Sequence, residues 1–377
     1  MNRRYAALLL LPCLILLFMT AKARSRNRSP KSSTPATSGQ AADQPPFLAS
    51  LTAEQSKWVD TTLRQMSVEE KVGQVLFTTY HGSFTASDSE THAGMMHDIK
   101  DLHVGGFITI THASPLGIVK DQAYPTAVLA NQLQAQSKLP LLIGADYERG
   151  TAMRQDEGTS FPTAMAVAAA QNPKDAYTMG KITALEARAV GVHWVYAPVC
   201  DVNNNPGNPI INTRSFGEDP VRVSEFVEEF IRGVQENGAM ATAKHFPGHG
   251  DTATDSHIDL PVIKADRGRM EHLELVPFRA AIAAGVGSIM TGHLNVPSYE
   301  PDPNTPATLS SNILTGLLRD RLKFQGLVVT DALDMGGITV RYAPGEAAVR
   351  AFLAGADALL MPPVPEAAYQ AMLAAAK

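Results

Sequence analysis

Cysteine is almost absent, with two in 377 residues, and Cys13 lies inside an N-terminal apolar run. Without that run only Cys200 remains, so no internal disulfide can form and stability has to come from a buried core. An excess of charge is missing too. Charged residues make up 18% and the formal net charge is −5; no basic run occurs in the body of the chain, which argues against a nucleic-acid partner. No repeat of 20 to 50 residues stands out, which excludes solenoids and propellers. What is present is an ordinary globular balance, 45% hydrophobic, with ample material for a core.

The N-terminus differs from the rest. Asn2-Arg3-Arg4 precedes the apolar stretch Ala6 to Met19, and Ala21-Lys22-Ala23 has the small-x-small form of a cleavage site. This pattern predicts a secretory signal peptide over residues 1–23 and hence export, periplasmic or secreted. The apolar run is short for a membrane span, so no stable membrane insertion is expected after cleavage. Pro12 just before Cys13 departs from the small residues of a lipoprotein signal. Residues 24–46, rich in Ser, Pro, Thr, Ala, Arg and Gln with no large apolar side chain, predict a disordered spacer. The folded domain is expected over 47–377.

Within it, short apolar runs alternate with longer amphipathic ones, the pattern of repeated βα units. Eight strands are predicted, at Val72-Phe77, Gly106-Ile110, Leu141-Ala145, His193-Pro198, Ala241-Lys244, Ser288-Thr291, Leu327-Thr330 and Ala358-Met361. Helices are predicted over 127–138, 173–190, 220–237, 267–284, 311–323 and 344–353 from their i, i+3, i+4 apolar spacing. Ser67-Val68-Glu69-Glu70 reads as a capping box opening a short helix. The fold class is α/β, a (β/α)8 TIM barrel, with a doubly wound open sheet as the runner-up. Polar residues favour the barrel. Asp146, Asp201, Lys244, His245, His293 and Asp331 fall at the C-terminal ends of five different strands, where barrel active sites are built; an open sheet would gather them at one crevice.

The densest chemistry lies in Lys244-His245-Phe246-Pro247-Gly248-His249-Gly250-Asp251-Thr252-Ala253-Thr254-Asp255-Ser256-His257. Three His, two Asp and a Lys are interleaved with Pro and Gly, which suits a rigid loop better than a helix. Asp255 and His257 are two apart, so in an extended segment their side chains share a face. A carboxylate beside an imidazole is a proton-transfer group. The competing readings are a solvated loop and a metal site made of His245, His249, Asp255 and His257; no H-E-x-x-H pattern accompanies them, and no metal or cofactor is expected. Asp331 directly follows an apolar strand, where a charge is unfavourable unless paired or used. It reads as a helix cap or as a group aimed into the barrel mouth. Asp334 competes for any such role from further along the loop. Trp194, Met95, Met96 and Cys200 read as core.

Lys244–His257 followed by Leu260-Pro261 resembles the signature of family 3 glycoside hydrolases of the β-N-acetylglucosaminidase branch, K-H-F-P-G-H-G, then D-S-H and a Pro. The resemblance covers most of the folded chain. It extends to Asp146-Tyr147-Glu148-Arg149-Gly150 with Arg154, to Phe161-Pro162, to Ala197-Pro198-Val199-Cys200-Asp201-Val202, to Asn212-Thr213-Arg214-Ser215-Phe216-Gly217 and to Thr330-Asp331-Ala332-Leu333. It implies a TIM barrel and a retaining exo-β-N-acetylglucosaminidase acting on peptidoglycan fragments or chitin oligosaccharides. Asp331 would then be the nucleophile and His257 the acid/base, with Asp255 as its partner. Asp146, Arg154, Arg214, Lys244 and His245 would bind the sugar. In retaining enzymes with two carboxylates these lie roughly 5 to 5.5 Å apart; here an imidazole replaces one, on a glycine-rich loop expected to close over substrate. A β-glucosidase or β-xylosidase of the same family and a silent glycan-binding barrel are the alternatives. Two departures stand out: Arg149 occupies a position where the family has Gly, and the chain stops inside the helix after the eighth strand.

Overall fold

The computed structural model describes residues 51–114 and 117–377; the predicted signal peptide and spacer lie outside the described residues. Eight parallel strands form one sheet: β1 Leu76–Tyr80, β2 Gly106–Thr109, β3 Leu142–Ala145, β4 Trp194–Val195, β5 Met240–Phe246, β6 Ser288–Thr291, β7 Leu327–Thr330 and β8 Leu359–Leu360. Each pairs with its neighbour in sequence, and β8 also pairs with β1 through Leu76–Leu359 and Phe77–Leu360. A single bridge between Val329 and Ala358 joins β7 to β8. The sheet therefore returns on itself, and the architecture is the expected barrel rather than the open sheet. An antiparallel ribbon, His112–Ser114 with Gly117–Val119, extends the loop after β2.

Strand alternation builds two cores. Inward positions Phe77, Ile108, Leu142, Trp194, Tyr196, Met240, Met290, Leu327 and Val329 pack against one another inside the barrel. Their neighbours Leu76, Phe107, Ile143, Val195, Ala241, Ile289 and Val328 face the surrounding helices. This period of two is the strand's own geometry. Trp194, fully buried, donates its indole N–H to Thr242 Oγ1 (2.8 Å) and Ser288 Oγ (2.9 Å), so the barrel interior holds no orphaned indole donor. Gly144 makes room for the Tyr196 ring, which a methyl group at that position would strike.

The same parity aims the site. Counting in twos from Leu142, Met240 and Leu327 places Asp146, Lys244 and Asp331 on the inward face, Asp146 and Asp331 just past their strands and Lys244 near the end of β5.

Local departures from the sequence reading have simple causes. Val72 belongs to the helix Val68–Gly73, because Ser67 and Glu70 close the capping box on each other's backbone; β1 accordingly starts four residues later than expected. The segment 267–284 is two helices, Arg267–His272 and Val276–Ala283, the second entered through a proline. β4 is only Trp194–Val195, and β5 runs on through Phe246. A final helix, Pro365–Ala376, follows β8. No helix among the described residues is long and apolar enough to cross a membrane.

Candidate active site

A cavity of about 740 Å³ opens at the C-terminal ends of the strands. Every candidate residue except Asp255 lines it: Asp146, Arg154, Arg214, Lys244, His245, His257 and Asp331. Asp255 joins through its bond to His257.

The floor is a charge network centred on Lys244, whose side chain is 3% exposed. Its Nζ bonds Asp146 Oδ1 (2.9 Å) and Glu148 Oε1 (2.7 Å). Arg154 bonds the other oxygen of Asp146 at 3.1 Å. Arg214 grips Glu148 with two parallel bonds of 3.0 and 2.7 Å, the strong bidentate form. Burial alone would drive the proton off Lys244, but Asp146 and Glu148 outweigh it and hold the lysine above its ordinary pKa. Burial likewise works against the two carboxylates. Lys244 and Arg214 nevertheless keep Glu148 well below the usual range, and Lys244 and Arg154 keep Asp146 below it. All three groups are charged at neutral pH, fixed hydrogen-bonding partners for a polar ligand.

His245 is oriented from behind. Its Nδ1 lies 2.7 Å from Asp201 Oδ2, and its Nε2 lies 3.4 Å from Arg214 Nη2. Asp201 is fully buried and also accepts the backbone N–H groups of His245 and His249. Sequence reasoning placed Asp201 at a strand end without a role and quoted Glu148 only as part of a motif. Their partners lie 44 and 66 residues away, beyond any local pattern.

Asp331 and Asp334 both line the cavity, and electrostatics separates them. For Asp331, burial opposes ionisation but is outweighed by His245, His293 and Lys244 and by the Ala332 N–H at 2.9 Å, so its pKa is lowered. For Asp334, desolvation and then the neighbouring Asp331 charge push the pKa up. Asp331, whose charge the site stabilises, is therefore the better suited of the two to attack an electrophilic carbon.

Asp255 and His257 come together, though by a tight turn rather than an extended segment. Asp255 Oδ1 accepts both the backbone N–H of His257 (2.9 Å) and its ring Nδ1 (2.7 Å). The Asp255 carbonyl accepts the N–H groups of Ile258 and Asp259, which closes the turn. Burial opposes the Asp255 charge, but these two His257 donors outweigh it and lower its pKa. Nδ1–H is thereby held by the carboxylate, and Nε2 is the nitrogen available to a substrate. The His257 side chain is 57% exposed, open to incoming ligand.

Of the residues in the metal reading, His249 has both ring nitrogens engaged, by Thr252 and Ser256, and among the described residues no group of three or more His, Cys, Asp or Glu is arranged to hold a metal ion. Arg149 lies on the cavity wall, and its guanidinium forms no ion pair among the described residues. Cys200 is fully buried, and burial pushes its thiol pKa well up, consistent with a core role.

Two buried histidines make stability pH-dependent. Burial lowers His249 to about 4 and His193 to about 3. His193 Nδ1 accepts the Ile143 N–H, which only a neutral ring can do. As pH falls below about 6.5 the unfolded chain takes up protons that the folded one refuses, so stability is lost from about 6.5 down to about 4 for His249 and about 3 for His193. Denaturant titrations at pH 7 and 5 are expected to show a loss of order 2 kcal/mol per histidine, reduced in His249→Gln.

The sequence model described as "Glycosyl hydrolase family 3 N terminal domain" matches residues 67–377. The chain is 35% identical over 312 residues to a "Beta-N-acetylglucosaminidase/beta-glucosidase" of Cellulomonas fimi, covering 80% of this chain and 52% of that protein. It is 40% identical over 245 residues to "Beta-hexosaminidase A" of Pseudoalteromonas piscicida, covering 61% of this chain and 41% of that one. Among solved structures, a family 3 β-N-acetylglucosaminidase from Paenibacillus sp. str. FPU-7 superposes with a TM-score of 0.75 at 40% identity, over 82% of this chain and 58% of that one. The chain thus spans about half the length of these relatives.

Proposed function

Because the chain belongs to glycosyl hydrolase family 3, we propose that it is a retaining exo-β-N-acetylglucosaminidase. One observation carries the reading: His257, held through Nδ1 by Asp255, and the ionised Asp331, 74 residues further along the chain, line one cavity at the barrel mouth. Asp331 attacks the anomeric carbon and forms an ester to the sugar as the glycosidic C–O bond breaks. His257 Nε2–H gives its proton to the departing oxygen. Water then attacks the same carbon, losing its proton to His257, and the ester bond to Asp331 breaks. Asp255 stabilises the imidazolium present before the first step and after the second. Asp146, Arg154, Arg214, Lys244 and His245 bind the terminal sugar, their donors and acceptors matched to hydroxyls and an acetamide. The substrates are fragments of peptidoglycan or chitin that end in N-acetylglucosamine, met outside the cytoplasm.

Hydrolysis of aryl N-acetyl-β-glucosaminide and aryl β-glucoside tests the proposal. The expected result is a higher kcat/KM for the N-acetyl substrate. A preference for the plain glucoside would move the chain to the β-glucosidase reading, and no turnover of either by folded protein would leave a glycan-binding barrel.

A further inference from the structure

The turn that carries His257 is gripped from two sides. On the barrel side stands His249, 2% exposed. Its Nδ1 lies 2.9 Å from Thr252 Oγ1 and its Nε2 lies 3.0 Å from Ser256 Oγ. Thr252 Oγ1 also donates to the His249 carbonyl at 3.2 Å, so its lone pairs are what meet Nδ1–H. That leaves Nε2 as an acceptor for the Ser256 hydroxyl, the arrangement of a neutral ring. Burial, which lowers His249 to about 4, keeps it neutral.

The other grip comes from the loop that leaves β7 with Asp331. Gly336 N–H donates to the His257 carbonyl (3.1 Å) and Gly337 N–H to that of Ser256 (3.0 Å). The approach is too close for a side chain: a methyl group on Gly336 would lie 2.5 Å from the Ile258 carbonyl oxygen and 2.7 Å from that of His257. Arg341 further along bonds Asp259 at 2.7 Å. The loop expected to close only over substrate is thus already seated, and on the segment that carries Asp331.

We infer that His249, through Ser256, and the Gly336–Gly337 corner are positioning residues that hold His257 in register with Asp331 before substrate binds. The inference rests on the reading of His257 as the acid/base. Both grips act within one residue of His257 and neither bonds Asp146, so loosening either one bears first on the proton donor. Proton donation matters in proportion to how poor the leaving group is. A displaced acid is felt strongly when a second sugar departs and hardly at all when a dinitrophenolate does.

The test is kcat/KM across N-acetyl-β-glucosaminides of graded leaving-group acidity, for His249→Leu, His249→Gln, Gly336→Ala and His257→Ala. His249→Leu and Gly336→Ala are expected to lose about 10- to 100-fold on the poorest leaving group and almost nothing on the dinitrophenyl substrate. His249→Gln, whose amide oxygen can accept from Ser256, recovers part of the loss. His257→Ala shows the same graded pattern more steeply. If it does, and His249→Leu and Gly336→Ala lose equally on every leaving group, the positioning roles fall while the acid/base reading stands. If His257→Ala itself shows no grading, the acid/base reading falls and takes the inference with it. Should His249→Leu fail to fold, Gly336→Ala, outside the buried network, decides alone.

Discussion

Asp331→Ala is expected to lower kcat by roughly four orders of magnitude or more while leaving the protein as stable as before, within about 1 kcal/mol. The two halves of this result have different origins. Asp331 is held ionised at the cavity wall by His245, His293 and Lys244 against the cost of burial. Its carboxylate accepts one backbone N–H, that of Ala332, immediately beside it in the chain. Removing it strands no distant partner, and the backbone bond from Asp331 N to the Thr291 carbonyl stays. Chemistry is lost and folding is not. Thermal melts beside steady-state assays check this. Adding azide to the variant sharpens the test, because a small anion can enter the space of the missing carboxylate and attack the anomeric carbon. The product would be an azide of inverted configuration, visible by NMR, as expected when the lost group is a nucleophile. Asp334→Ala is the control. Its pKa is raised rather than lowered, and the loss there should stay under about tenfold. The opposite ranking would transfer the nucleophile to Asp334.

Much of this site is legible in the chain because barrel strands write it locally. An apolar run that ends in a polar residue gives both a strand and the inward aim of Asp146, Lys244 and Asp331, since parity is a property of the strand itself. The Asp255–His257 pair is equally local, its two residues joined by their own turn. What could not be read is what depends on other strands. Glu148 lies two residues beyond Asp146, and only the fold brings Arg214 and Lys244 to it. His249 looked like a metal ligand while its surroundings were unknown; the hydroxyls of Thr252 and Ser256 make it a buried neutral support. The seating of the His257 loop on Gly336 and Gly337 joins segments about 80 residues apart, and nothing in either glycine announces it. Strand ends shifted for the same reason. Val72 is apolar enough for a strand, but the capping box upstream claims it for a helix.

Lys244→Met removes one charge and unbalances the whole floor of the site. Methionine matches the length of the lysine stem, so the packing change is small and the effect is electrostatic. In the wild type the Nζ lies between Asp146 and Glu148 at 2.9 and 2.7 Å. Without it each carboxylate keeps one arginine, Arg154 or Arg214, but the two anions face each other with nothing between them. Breaking such a buried network from one side destabilises by about 3–5 kcal/mol at neutral pH, and substrate turnover falls with it. The pH dependence gives the mechanism away. In the wild type Asp146 and Glu148 have folded pKa values below their unfolded ones, so their contribution is fully present above the unfolded carboxylate range near 4 and is lost as pH falls through the folded values. In the variant burial and mutual repulsion raise both. Acid then protonates one of the pair and relieves the repulsion, so the stability gap between variant and wild type should narrow from pH 7 to pH 4. Denaturant unfolding of the two proteins at both pH values measures the gap. A gap that stays constant would mean that Lys244 acts by packing alone and that Asp146 and Glu148 are not held in their charged form by it.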